Sequence, residues 1–119
     1  IRAEPLHSFP KGERLLFRKE FLEINREGCR ISGRHFIVIR LPGSSNHSRI
    51  GVTASRKVGG AVVRNHIKRL VRECYRLNKA WFQSADYSVI AKKSAAHLNL
   101  AGVCKDLWQT LQQFKADHG

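Results

Sequence analysis

Acidic residues are what this chain most lacks. Nine Asp and Glu stand against 22 Lys and Arg in 119 residues, and the formal charge of 22 − 9 = +13 calls for a partner of opposite sign. Long apolar runs are missing too. No stretch nears the ~18 residues of a membrane span, and no long basic amphipathic tail points to an anionic bilayer. Cysteine is scarce and unpatterned: Cys29, Cys74 and Cys104 are odd in number, far apart and outside any CxxC spacing. That argues against a disulfide framework or a zinc site and fits a reducing cytoplasm. The opening "IRAEPLHSFPKGERLL" has no apolar core of signal-peptide length, so secretion is not expected; Ile1 in first place fits a product whose first residues are absent.

Catalytic constellations are also lacking. His7, His35, His47, His66, His97 and His118 are scattered, with no HxxxH pair and no acid at metal-ligand spacing. A protein nuclease needs paired carboxylates for a metal, or two histidines as acid and base. No GxxxxGK[ST] loop supports nucleotide hydrolysis. The expectation is a protein with no catalytic residue and no metal site of its own.

What is there suffices for one packed domain. Hydrophobic residues make up 42% of the chain, and apolar segments at 36–41, 50–54, 61–77 and 87–91 supply a core. Residues 1–13, with Pro5, Pro10 and Gly12, read as an extended N-terminal arm, 14–115 as the domain and 116–119 as a C-terminal tail. Phe17, Phe21 and Ile24 recur at i, i+4, i+7 in a short helix stopped by Gly28. Residues 34–42 and 49–55 read as strands, antiparallel across the 43–48 loop, with room for a short strand at 30–32. A strand at 86–93 and a helix at 100–114 follow the long basic segment. The order α-β-β-(β)-α-β-α predicts an α+β sandwich with helices packed on a small, mostly antiparallel sheet.

The basic segment "RKVGGAVVRNHIKRLVRECYR" (56–76) carries two faces. At ~100° per residue from Arg64, Val63, Ile67, Leu70, Val71, Cys74 and Leu77 fall within roughly 220° to 340°. Arg64, Asn65, Lys68, Arg69, Arg72, Arg76 and Lys79 fall within roughly 0° to 140°. The apolar stripe docks on the sheet. The basic arc contains three like-charge i, i+4 pairs, Arg64–Lys68, Lys68–Arg72 and Arg72–Arg76, and Glu73 lies outside it at roughly 180°. A merely solvated face interleaves acids, whereas this one accepts repulsion and therefore suits a polyanion. Arginine favours bidentate phosphate contacts, and Asn65 adds a donor and an acceptor. Gly59–Gly60 either bring the chain close to a ligand or simply turn strand into helix. Phe21 and Phe36 have two readings each, packing in the core or stacking on a base.

"SRIGVTASRKVGGAVVRNHIKRLVRE" (48–73) resembles the signature region of the bacterial ribonuclease P protein component, and "ERLLFRKEFLEINREG" and "DYSVIAKKSA" resemble its first helix and late strand. The likeness runs over residues 13–114. It implies a left-handed β–α–β crossover against the usual rule. It also implies the protein subunit of an endoribonuclease whose catalytic RNA, with Mg²⁺, cuts the 5′ leader from precursor tRNA. The implied partners are that RNA and the leader, with no membrane and no protein partner. Arg56, Lys57, Arg64, Asn65, Lys68, Arg69, Arg72 and Arg76 are the implied RNA-binding residues. Arg18, Phe21 and Phe36 are implied in a separate leader cleft. His66 stands where the family usually carries a second Arg, Asn25 where an aromatic often occurs, and Ile39 where a strand tyrosine is found. A ribosomal-type structural RNA-binding protein explains the charge and size equally but not the ordered signature. A groove-reading DNA regulator is disfavoured, because the glycine turn follows a strand rather than a first helix.

Overall fold

The computed structural model describes residues 9–15, 17–43 and 47–118, with side chains as far as Phe114. Its elements are α1 (Arg18–Glu27), β1 (Cys29–Ser32), β2 (Phe36–Pro42), β3 (Arg49–Thr53), α2 (Ala61–Leu77), β4 (Ala85–Ala91) and α3 (Leu100–His118). The α+β order matches expectation, and β1 fills the place left for a short strand. Residues 1–8 of the expected arm lie outside the described part. Residues 9–13 are packed rather than extended: Lys11–Glu13 form a 3₁₀ turn, and Arg14 bridges to Ile50 of β3. The backbone of 116–118 continues α3, so no separate tail begins at 116.

One pairing differs from the sequence reading. Strands β2 and β3 are not neighbours; the sheet order is β1-β2-β4-β3, antiparallel except for the parallel β3–β4 pair. Six of the seven β4 residues are buried. A strand apolar on both faces belongs in the middle, where both faces can be covered. Helix α2 supplies the crossover between the parallel pair.

Register sorts the side chains into two layers. Phe36, Val38, Ile50, Val52, Tyr87 and Val89 meet Ile67, Val71, Cys74 and Tyr75 of α2 and Val103, Leu107 and Phe114 of α3 in the main core. A chain of edge-to-face rings, Phe9–Tyr75–Phe82–Tyr87, runs through it with centroids 5.4, 4.9 and 5.0 Å apart. Burial pushes the Tyr75 phenol up to about 12, and its hydroxyl is satisfied by Ser48 Oγ at 2.6 Å. The opposite face carries three cross-strand rows: Ser32–Ile37–Ile90–Thr53, Arg30–Ile39–Ser88–Gly51, and Leu41–Asp86–Arg49. Helix α1 lies on this face, where Leu15, Ile24 and Ile39 form a second, smaller core.

The cysteines also depart from expectation. Cys74 and Cys104 are joined in a disulfide across the α2–α3 interface, with Cα atoms 5.6 Å apart. The pairing follows from two helices packed side by side on one sheet face, and a separation of 30 residues gives no local sign of it. Cys29 is free and exposed.

Helix α1 is held by a charged clasp. Arg49 donates from Nε and Nη2 to Asp86 at 2.8 and 2.7 Å and from Nη1 to Glu20 of α1 at 2.6 Å. Its hydrogen bonds to Asp86, then to Glu20, raise the guanidinium's already high pKa. Arg49→Leu leaves Asp86, whose side chain is 12% exposed, without its cation. The expected cost is about 1–3 kcal/mol in urea denaturation; a change within experimental error would show that the clasp does not hold α1.

Candidate nucleic-acid interface

Helix α2 starts from a compact strand-to-helix turn. Gly59 has φ +159°, and a Cβ there would stand 3.0 Å from Val63 Cβ. The first glycine is thus explained by packing at the turn, and Gly60 caps the helix. Val58 N donates to Ser55 O at 3.0 Å, closing a turn that leaves Arg56 and Lys57 exposed just before α2.

The stripe and arc largely separate as the spacing predicts. Ile67, Val71 and Cys74 are buried, while Asn65, Arg69 and Arg72 are exposed and Arg64 and Lys68 half-buried. None of these four arginines and lysines or Asn65 forms an ion pair among the described residues. Arg64 Nε is buried without a hydrogen-bond partner there. Four residues break the pattern, among them Leu77 of the stripe, which is 38% exposed. Tyr75, at an angle inside the basic arc, is fully buried. Arg76, read as uncompensated, donates from Nε to Glu73 Oε2 at 3.2 Å and also pairs through Nη2 with Glu73 Oε1. That contact holds the Glu73 carboxyl below its usual range. The three-residue step along a helix lets the two side chains meet although their angles differ. Lys79 is likewise engaged, with Glu13 at 2.7 Å. His66 is exposed beside the arc.

A cavity of about 340 Å³ opens between α1, the β3 edge and α2, lined by Phe9, Arg14, Leu15, Phe21, Ile50, Gly51, Val52 and Arg72. Phe21 thus meets a member of the basic arc, and the two surfaces expected to be separate join at Arg72. Beyond α1 the row Ser32–Ile37–Ile90–Thr53 stays partly open, with Ser32 and Thr53 exposed and Ile37 and Ile90 half-buried. At its edge Lys92 Nζ donates to Ser32 Oγ and Gly33 O, both at 2.6 Å.

Two expected cleft residues do not line this cavity. Phe36 is 0% exposed on the far side of the sheet; strand alternation sends it beneath α2 and α3, so its core reading holds. Arg18 lies in a hollow on the outer face of α1 with Lys19, Leu22, Glu23 and Arg26. Ile39 is fully buried under α1, so no side chain at that position reaches the open floor. Asn25 is exposed on α1. Phe17, read as part of the apolar stripe, is 67% exposed just before α1. Phe9 was missed because the arm's prolines and glycine read as extended chain; Arg14, just past the arm, stacks on it at 4.8 Å. Ile37, Ile90 and Lys92 join the open face only through strand register.

The fold and these surfaces define a small basic α+β protein with an exposed cationic helix beside a partly open sheet face. The family model described as Ribonuclease P matches residues 9–115, and the chain belongs to that family. It is 45% identical over 106 residues to the ribonuclease P protein component of Geotalea uraniireducens, covering 89% of this chain and 94% of that one. The ribonuclease P protein of Staphylococcus aureus superimposes with a TM-score of 0.81 at 30% identity, covering 88% of this chain and 97% of the other. That of Thermotoga maritima gives 0.77 at 33%, covering 85% and 96%.

The cations of α2 are therefore unequal. In salt titrations of RNA binding, Arg69→Ala should flatten the slope by about 0.7–0.9, one phosphate contact, and Arg76→Ala by less, because Glu73 occupies it. Equal losses would show that the Glu73 pair opens on binding.

Proposed function

We propose that this chain acts as the protein component of ribonuclease P in 5′ maturation of tRNA, gripping the catalytic RNA with α2 and the leader of precursor tRNA on the α1 side of the sheet. The observation that carries this reading is the α2 face formed by Arg64, Asn65, Lys68, Arg69 and Arg72, with no acid paired to it among the described residues. Its arginines neutralise phosphates, and Arg56 and Lys57 extend the cationic track from the preceding turn. Phe21 offers a stacking surface at the cavity where Arg72 neutralises the adjoining backbone.

In this reading hydrolysis and its Mg²⁺ lie with the RNA. The described residues contain no group of three or more His, Cys, Asp or Glu fit to hold a metal ion. The chain's own work is positional: it lowers the repulsion between two polyanions and orients the leader relative to the catalytic RNA. None of the described helices is long and apolar enough to cross a membrane, and the proposed setting is the cytoplasm.

Reconstitution tests this directly. At low Mg²⁺ the protein should restore precursor tRNA cleavage by ribonuclease P RNA while cleaving nothing alone; cleavage by protein alone, or no rescue, would sink the assignment. Arg64→Ala with Arg69→Ala should weaken binding to the catalytic RNA and flatten its salt dependence, and unchanged values would remove α2 from that contact.

The cleft is tested separately. Phe21→Ala should lower the holoenzyme's preference for leader-bearing precursor over mature tRNA, by about 1–3 kcal/mol if one base stacks on the ring. An unaltered ratio of the two dissociation constants would return Phe21 to a packing role.

A further inference from the structure

Gly51 sits in the middle of β3, where glycine sacrifices backbone entropy and side-chain packing. Its backbone does not require glycine, since Gly59 alone has positive φ among the described residues. The requirement is space. A Cβ on Gly51 would stand 2.2 Å from Phe21 Cζ and 2.4 Å from Cε1, far inside contact distance. The tip of the Phe21 ring occupies the volume where a side chain at 51 would be.

The neighbouring strand adds to this hollow. Ser88 is the register partner of Gly51 on β4. It is 0% exposed, and its Oγ has no hydrogen-bond partner among the described residues. An orphan hydroxyl is an unfavourable choice for a core position, and its small volume is what this position uses. Phe17, just before α1, is 67% exposed and Ile24 of α1 1% exposed, with Phe21 between them half-buried.

We propose that Gly51, with Ser88 beside it, is a positioning residue for substrate. The missing side chain creates the seat that holds the Phe21 ring tip-down against β3, so that the rest of the ring forms a fixed wall of the cavity beside Arg72. A ring fixed before binding loses less freedom when a base stacks on it. The proposal rests on the leader-binding reading above.

The test uses holoenzyme reconstituted with ribonuclease P RNA, and precursor tRNA with and without its leader. Gly51→Ala should raise KM for leader-bearing precursor about tenfold, within the range of one lost base stack. It should leave kcat at saturation, binding to the catalytic RNA and KM for leaderless tRNA unchanged. Gly51→Ala lowers thermal stability through the collision; adding Phe21→Leu, a shorter side chain, should recover stability without recovering leader affinity. Ser88→Ala, which keeps the hollow, should preserve leader affinity. If Phe21→Ala leaves leader affinity intact, the leader reading itself fails. If Phe21→Ala weakens it but Gly51→Ala does not, the seat is overturned and the leader reading stands. Equal losses for leader-bearing and leaderless substrates on Gly51→Ala would also overturn it, by reducing Gly51 to a packing residue.

Discussion

The placement of α1 depends on Arg49. One guanidinium takes both oxygens of Asp86 on β4 and one oxygen of Glu20 on α1, a planar fork meeting two carboxylates from different elements. Glu20 also accepts from Phe17 N at 3.4 Å, so the clasp reaches the start of the helix. The apolar contact beneath α1 is small, with Leu15, Ile24 and Ile39 at its centre, and area of that kind does not fix direction. The clasp does. It pins the helix over the Leu41–Asp86–Arg49 row and leaves the Ser32–Ile37–Ile90–Thr53 row partly open. An α1 centred on the sheet would bury that floor and close the cavity at Phe21.

The scarcity of acids acquires a structural meaning from where they are engaged. Glu20 and Asp86 serve Arg49, Glu13 serves Lys79, Glu73 serves Arg76, and Glu27 pairs with Arg26. Asp106 accepts from the His35 backbone N at 3.1 Å. These acids secure elements or quiet neighbouring cations, and none reaches Arg64, Lys68, Arg69 or Arg72. The repulsion within that face is tolerated because the other side of α2 is anchored by Ile67, Val71, Cys74 and Tyr75, all at most 1% exposed. Packing holds the helix and leaves its charge available to a partner.

Much of this was legible because helices write themselves locally. The period of α2 separated stripe from arc with no tertiary information, and Tyr75, assigned to neither, is buried for a nonlocal reason. Its phenol is sealed by Ser48, 27 positions earlier in the chain. Strand order was harder. Nothing local to 34–42 or 49–55 announces that β4, after the long helix α2, comes between them; only the two-sided burial of β4 does. Phe36 and Ile39 suffered from the same blindness, because both lie in a run apolar at nearly every position, where alternation does not reveal which face is which. The cleft residue that the sequence did hold, Phe21, sits on a helix.

The meeting of Phe21 and Arg72 in one cavity alters how the two surfaces act on a polyanion. Two separate sites contribute independently, and a ligand on one leaves the other unaffected. Under the proposed function, a strand stacked on the Phe21 ring would have its neighbouring phosphates within the field of α2, where like-charged neighbours raise the local potential. Screening acts over a length of about 10 Å at 0.1 M salt, and lining a single cavity of about 340 Å³ puts Phe21 and Arg72 inside that range. A stacking site there would therefore inherit part of the salt dependence of the basic helix. Its chemical character would be aromatic, but its strength would be set in part by charges that the fold placed on another element.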